Sequence, residues 1–209
     1  MHERIIGLYQ ENALAWDRQR GRDLHERVWL DRFTALLPEC GTILDIGCGS
    51  GKPIAGHLIE RGFALTGVDS SETLIDLCRS RFPDQTWIVG DMRRLDLGQR
   101  FDGLIAWHSF FHLAAADQRR MFARFAAHAK PGAALIFTSG SEAGEAIGEW
   151  QGEPLHHASL DPEEYEKLLH ENGFELVERH LHDPECGDAT VWLACLGNTS
   201  LMKRAAADS

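Results

Sequence analysis

The run Thr42-Ile43-Leu44-Asp45-Ile46-Gly47-Cys48-Gly49-Ser50-Gly51 decides how the rest of the chain is read. Branched apolar residues crowd its first half, and glycines at 47, 49 and 51 alternate through its second. Such a run reads as a buried strand passing into a tight turn, and the pattern after it predicts a helix over 52–61. Glycine has no Cβ, so the turn can take positive φ and bring backbone close to a ligand. The unpaired N–H groups that open the next helix favour an anionic or polar group. A nucleotide-like cofactor suits this combination; a purely structural turn is the alternative. The spacing is not GxGxxG, because Gly56 falls too late. Nor is it a phosphate-binding GxxxxGK[ST] loop, because Pro53 follows Lys52.

Outward from this turn, short apolar strands alternate with amphipathic helices. Strands are predicted at 63–68, 86–89, 101–107 and 133–138, with a helix capped by Ser70 or Ser71 and another over 117–129. This alternation is the α/β signature. Upstream, apolar spacing predicts a helix over 23–37, stopped by Pro38. Residues 1–22 read as a short helix and a loop, either packed on the domain or forming a lid that turns Tyr9, Trp16 and Arg18 toward a pocket. Downstream, residues 139–160 are rich in Gly, Glu, Ser and His. They read as a long excursion anchored by Trp150 and Leu155, either substrate-facing or a tolerated insertion. Asp161-Pro162 opens a helix that ends near Asn172-Gly173. Two strands, 174–182 and 189–196, follow, joined by a connection at 183–188 that reads as remote. A single domain over 1–196 with a fraying tail at 197–209 is expected, its sheet mostly parallel with an antiparallel terminal pair.

Composition narrows the function. A net charge of −11 over 209 residues disfavours nonspecific contact with nucleic acid or an anionic membrane. No apolar run reaches the roughly 20 residues that span a bilayer, and a cytoplasmic location is expected. The cysteines at 40, 48, 78, 186 and 195 include no CxxC pair and read as free thiols, with Cys48 packing inside the turn. His108, His112, His156, His157 and Glu153 could be imagined around a metal, but the four-residue spacing of the first pair helps only on a helix, and no metal is expected.

Over about residues 40–196 the chain resembles the class I S-adenosylmethionine-dependent methyltransferases. The resemblance rests on Leu44–Gly51, on Asp69 closing the second strand, on Gly90-Asp91-Met92 after the third, on Asp102 and Trp107-His108 around the fourth, and on Pro131-Gly132-Ala133 before the fifth. It implies a three-layer, Rossmann-like seven-stranded sheet in the order 3-2-1-4-5-7-6, with strand 7 antiparallel. It implies S-adenosylmethionine as cofactor and S-adenosylhomocysteine as product. Gly47, Gly49 and Gly51 would approach the methionine part, and Asp45 would orient its ammonium group. Asp69 would take the ribose diol, Asp91 the adenine amino group, and Met92 would pack on the ring, with Cys48, Ser70 and Trp107 also lining the cofactor. His108 would face the transferred methyl as a base or substrate contact, while Tyr9, Trp16, His112 and Trp150 are candidates for the substrate wall.

Methyl transfer from a sulfonium is an in-line displacement that needs alignment more than a base. The Asn/Asp-Pro-Pro-Tyr/Phe motif of methyltransferases acting on nucleic-acid bases is absent; Ala106-Trp107-His108-Ser109-Phe110-Phe111 stands in its place. With the acidic charge, this disfavours a DNA acceptor and leaves RNA and protein open; the short chain shows no added recognition domain, so a small-molecule acceptor is expected, with its nucleophilic atom and the oligomeric state left open. A nicotinamide-dependent oxidoreductase shares the acid at Asp69 but not the glycine spacing. A noncatalytic cofactor-binding regulator of the same fold is the other alternative.

Overall fold

A computed structural model describes residues 2–21 and 23–197. The chain opens with α1 (His2–Gln19) and α2 (Arg27–Ala35). It continues through β1 (Thr42–Ile46), α3 (Ile54–Glu60), β2 (Ala64–Asp69), α4 (Glu72–Arg81) and β3 (Thr86–Val89). Then come β4 (Phe101–Ala106), α5 (Ala115–His128) and β5 (Ala129–Ser139). A hairpin of β6 (Gly144–Trp150) and β7 (Glu153–Ser159) precedes α6 (Pro162–Glu171), β8 (Phe174–Asp183) and β9 (Ala189–Leu196).

The main sheet has seven strands in the order β3-β2-β1-β4-β5-β9-β8. β9 runs antiparallel to both of its neighbours, and the other pairs are parallel. With the hairpin set aside, this is the expected order. Period-two alternation feeds a core on each face. In β1, Leu44 and Ile46 pack with Phe110, Phe137 and Trp192 on one side. Ile43 packs with Trp29, Phe33 and Leu58 on the other. β4 and β5 split the same way, Leu104 and Phe137 to the first core and Ile105 and Ile136 to the second. A one-residue register slip would exchange the faces, so the register is strongly specified. β1 pairs with β2 on one side and β4 on the other. The chain's winding reverses there, and a crevice opens beyond the carboxyl ends of these strands.

Four expectations are corrected. Residues 2–19 form one continuous helix rather than a short helix and a loop. The helix expected over 23–37 is confined to 27–35. The one after the glycine turn begins at Ile54, not Lys52. The excursion at 139–160 is mostly a β-hairpin, paired from Gly144↔Ser159 to Trp150↔Glu153. Gln151 and Gly152 turn it with φ of 56° and 78°, the doubly positive geometry that suits a two-residue hairpin turn. Its Gly, Glu and Ser content has low strand propensity. Packing against α1 and the short helical turn Phe110–His112 supplies what propensity does not. The expected tail lies outside the described residues from 198 onward. No described helix is long and apolar enough to cross a membrane.

Candidate active site

Three adjoining cavities occupy the crevice. An edge cavity of about 780 Å³, open solvent at its mouth included, lies beyond β2 and β3 and is lined by Val68, Asp69, Asp91 and Met92. A central cavity of about 790 Å³ lies over the glycine turn and is lined by Asp45, Cys48, Gly51 and Trp107. A hairpin cavity of about 1000 Å³ lies between the hairpin and the 183–188 connection, lined by Ser139, Ser141, Glu142, Glu145 and Asp188. Tyr9, Trp16, Gly47, His108 and His112 border both the edge and the central cavities. His108, Phe111 and His157 border both the central and the hairpin cavities. His108 thus stands on the wall of all three.

The glycine turn is shaped by close approach. Gly47 has φ +80°, and a Cβ there would sit 2.3 Å from the Ser109 Cβ. Ser109 is held in place because its hydroxyl donates to the Ile46 carbonyl at 2.6 Å. Gly49 has φ +55°, and a Cβ there would lie 2.6 Å from the edge of the Trp16 indole. Asp69 clamps the turn to the start of α4. One carboxylate oxygen accepts the Gly49 N–H and the other the Ser71 N–H, each at 2.9 Å. Two oxygens offer about four acceptor sites, so lone pairs remain for a ligand.

Burial sets the charge states. It raises the Asp45 carboxyl to about 7, with the Asp69 charge adding to the rise and Arg20 opposing it. Burial also raises Asp69, against the lowering effect of its backbone donors. For Asp91, the hydrogen bonds and charge of Arg93 overcome burial and hold the carboxyl below its ordinary value. The Arg93 Nη2 lies 2.6 Å from Asp91.

His108 sits in the left-handed region at φ +47°, where a side-chain-bearing residue is strained by about 1–2 kcal/mol. Its N–H donates to the Thr138 hydroxyl at 2.9 Å, which fixes the position. Burial, with the Arg20 charge second, lowers its imidazole to about 4, so the ring is neutral at pH 7. Burial brings His112 to about 4 as well. His112 Nδ1 lies 3.2 Å from the His156 carbonyl, which can only accept. That places the proton on Nδ1 and leaves Nε2 to accept from the Tyr9 hydroxyl at 3.0 Å. Tyr9 in turn stacks on Trp150, ring centroids 5.8 Å apart. Helix α1 is thereby latched both to the 110–112 turn and to the hairpin.

The structure gathers nearly every residue singled out in the sequence. Asp69, Ser70, Asp91 and Met92 line the edge cavity, and Asp45, Cys48, Gly51 and Trp107 line the central one, with Gly47 on both and Gly49 on the edge side. Trp150 is absent from these walls and acts through Tyr9 instead. Arg18 points to solvent, whereas Arg20 reaches the central cavity. The helical period explains this correction: Tyr9, Trp16 and Arg20 share a face, and residue 18 lies nearly opposite residue 16. The connection read as remote brings Asp188 onto the hairpin cavity. Phe111 and Ser109 were missed, though both lie just past β4, where His108 already pointed, and His157, considered only around a metal, lines the central and hairpin cavities. Among the described residues, no group of three or more His, Cys, Asp or Glu is arranged around a metal position.

Comparison with known proteins agrees with this geometry. Residues 43–132 match the family model of a methyltransferase domain. A dTDP-3-amino-3,6-dideoxy-alpha-D-glucopyranose N,N-dimethyltransferase of Streptomyces fradiae is 33% identical over 123 residues, 56% of this chain and 47% of that protein. A magnesium-protoporphyrin O-methyltransferase of Rhodobacter capsulatus is 33% identical over 125 residues, 57% of this chain and 54% of that one. The chain therefore spans about half the length of these curated relatives. A solved sugar N-methyltransferase from Streptoalloteichus superposes with a TM-score of 0.72 at 19% identity, covering 88% of this chain and 92% of that chain. At such identity the superposition speaks for the fold. Residues 43–132 are thus similar to a methyltransferase domain, and the strand order is the one expected of the class I S-adenosylmethionine-dependent methyltransferase fold.

Proposed function

We propose that this chain transfers a methyl group from S-adenosylmethionine to a small, polar, amine-bearing acceptor such as an amino sugar. The observation that carries the reading is the position of His108 at the junction of all three cavities. The donor would lie across the edge and central cavities, and the acceptor would enter through the hairpin cavity. The residues fit the donor. The glycine turn leaves no room for a Cβ at 47 or 49. The central cavity is walled by Trp107, whose indole N–H is buried without a partner. Asp45 and Asp69 supply acceptors for cationic and hydroxyl groups.

When bound, the cofactor supplies the electrophilic methyl. The chain supplies alignment and exclusion of water. Asp69 would accept from the ribose hydroxyls and Met92 would cover the base. A neutral ring nitrogen of His108 would accept a hydrogen bond from the acceptor amine, turning its lone pair toward the methyl. With a pKa of about 4, His108 orients rather than stores the proton. The hydroxyls of Ser139, Ser141 and Ser159 and the carboxylates of Glu142, Glu145 and Asp188 set polar and acidic groups among a lining that also carries Phe111 and several alanines. The carboxylates and hydroxyls suit a hydroxylated amine. The sugar N,N-dimethyltransferase relative supports the same class.

The test is methyl transfer from labelled S-adenosylmethionine to paired nucleotide sugars that carry an amine or a hydroxyl at the same carbon. Label on the amino member alone is expected. Label on the hydroxyl member alone would move the acceptor atom to oxygen. Donor binding with no transfer to any acceptor would return the chain to the noncatalytic reading.

A further inference from the structure

Two imidazoles border both the central and the hairpin cavities, His108 just past β4 and His157 on β7. Alternation along β7 buries His156, which is 4% exposed, and turns Leu155, His157 and Ser159 toward the cavities. Across the hairpin His157 is paired with Ala146, which is too small to cover the ring. Phe111 packs edge-on against both imidazoles, its ring centroid 5.8 Å from that of His108 and 4.9 Å from that of His157. The His157 charge is also felt at His108.

The neighbouring His112 is already committed on both nitrogens, to the His156 carbonyl and to the Tyr9 hydroxyl. His157 is not. Among the described residues its ring meets Phe111 and His112, the latter at a centroid distance of 5.0 Å, and no hydrogen bond occupies its nitrogens. Burial, then the His156 charge, lowers its imidazole below the ordinary value. His157 and His108 are therefore both neutral at pH 7, and each offers one acceptor nitrogen.

A neutral primary amine carries two N–H groups and one lone pair. We infer that His108 and His157 each accept one N–H of a primary amine, which leaves the lone pair free to meet the methyl carbon. This rests on the amine-acceptor reading above. As the nitrogen–carbon bond forms, the carbon–sulfur bond breaks and sulfur keeps its electron pair. The ammonium product then gives its extra proton to water, because neither ring holds a proton near pH 7. An N-methyl amine has a single N–H, which His108 takes alone. His157 therefore serves the first methyl and is dispensable for a second.

The experiment compares the full chain with His157→Phe, which keeps a ring and loses the nitrogens, and His157→Asn, which restores an acceptor. The acceptors are a nucleotide sugar with a primary amine and its N-monomethyl counterpart, offered above the pKa of the amine. His157→Phe is expected to lower kcat/KM for the primary amine roughly 10- to 100-fold, the range of a hydrogen-bond partner lost in a closed site. For the N-methyl acceptor the change should stay below about threefold. The same split should appear in the Kd of each acceptor titrated calorimetrically into chain saturated with S-adenosylhomocysteine, a readout independent of turnover. S-adenosylhomocysteine itself should bind each variant within about twofold of the native chain, which shows that the variants are folded. His157→Asn should recover part of the loss. Equal loss on both acceptors, no loss on either, a matching loss of S-adenosylhomocysteine affinity, or a native chain that methylates the primary amine and is inert toward the N-methyl one would overturn the inference. A native chain that binds S-adenosylhomocysteine and methylates neither amine would overturn the amine reading beneath it.

Discussion

The two ends of the crevice are built from different materials. The edge and central cavities rest on the ends of β1 and β2, on the turn after β3, and on backbone exposed by Gly47 and Gly49. The hairpin cavity is walled by side chains of β5, the hairpin and the 183–188 connection. Strand ends are positioned by a sheet buried on both faces, so they tolerate little change. Hairpins and connections vary at small cost. On the proposed function, donor recognition would be a property of the topology, and acceptor choice would belong to elements added to it.

Substitutions at the two ends test that contrast. The largest effect is expected at Gly47→Val. The new side chain would meet Ser109 within 2.3 Å at a φ of +80°, and backbone strain of about 1–3 kcal/mol adds to the clash. Calorimetry should show S-adenosylhomocysteine binding weakened more than ~100-fold, the clash and the strain compounding. Binding at native strength would place the donor elsewhere.

Next in size is a pair. Asp69→Ala should weaken S-adenosylhomocysteine ~10- to 100-fold, through lost acceptors and a loosened Gly49 N–H. Asp188→Ala, on the hairpin cavity, should leave that affinity unchanged and raise the acceptor KM a few-fold. Equal effects on donor affinity would erase the distinction between the two ends.

A third effect is a pH dependence. Burial, then the Asp69 charge, raises the Asp45 carboxyl to about 7. A cationic ligand needs the carboxylate, so affinity should fall by up to about tenfold per pH unit below that value and level off above it. Binding near pH 6 should release a proton, detectable as a dependence of the heat on buffer ionisation enthalpy. The stability term has the opposite sense: the raised carboxyl favours the folded state fully below the unfolded value and loses that contribution as pH rises through about 7. His108, lowered to about 4, should give no inflection near 6.5 in the rate profile. The smallest effect is expected at Ile147→Ala on the outer hairpin, where the side chain is 60% exposed. Thermal or denaturant unfolding should shift by less than about 0.5 kcal/mol; a larger change would mean that the hairpin is not peripheral.

How much of this was legible in the sequence follows the same division. The strand Thr42–Ile46, the acids at 45, 69 and 91 and the glycine spacing are local signals, and each appears where its pattern placed it. The hairpin was not legible, because Gly144, Glu145, Gly148 and Glu149 carry little strand propensity and its pairing depends on tertiary support. A short helix and a loop over 1–22 leaves the position of Arg20 undefined, whereas the continuous helix His2–Gln19 carries it to the central cavity. A continuous helical period from Tyr9 through Trp16 would have selected Arg20 over Arg18. The role of 183–188 depends on the β8–β9 register, which no local pattern states.

The most direct test of the account is calorimetric titration of the purified chain with S-adenosylmethionine, with NAD as a control. The account predicts saturable one-site binding of S-adenosylmethionine and no heat from NAD. Binding of NAD alone, or of neither ligand by a demonstrably folded chain, would contradict it.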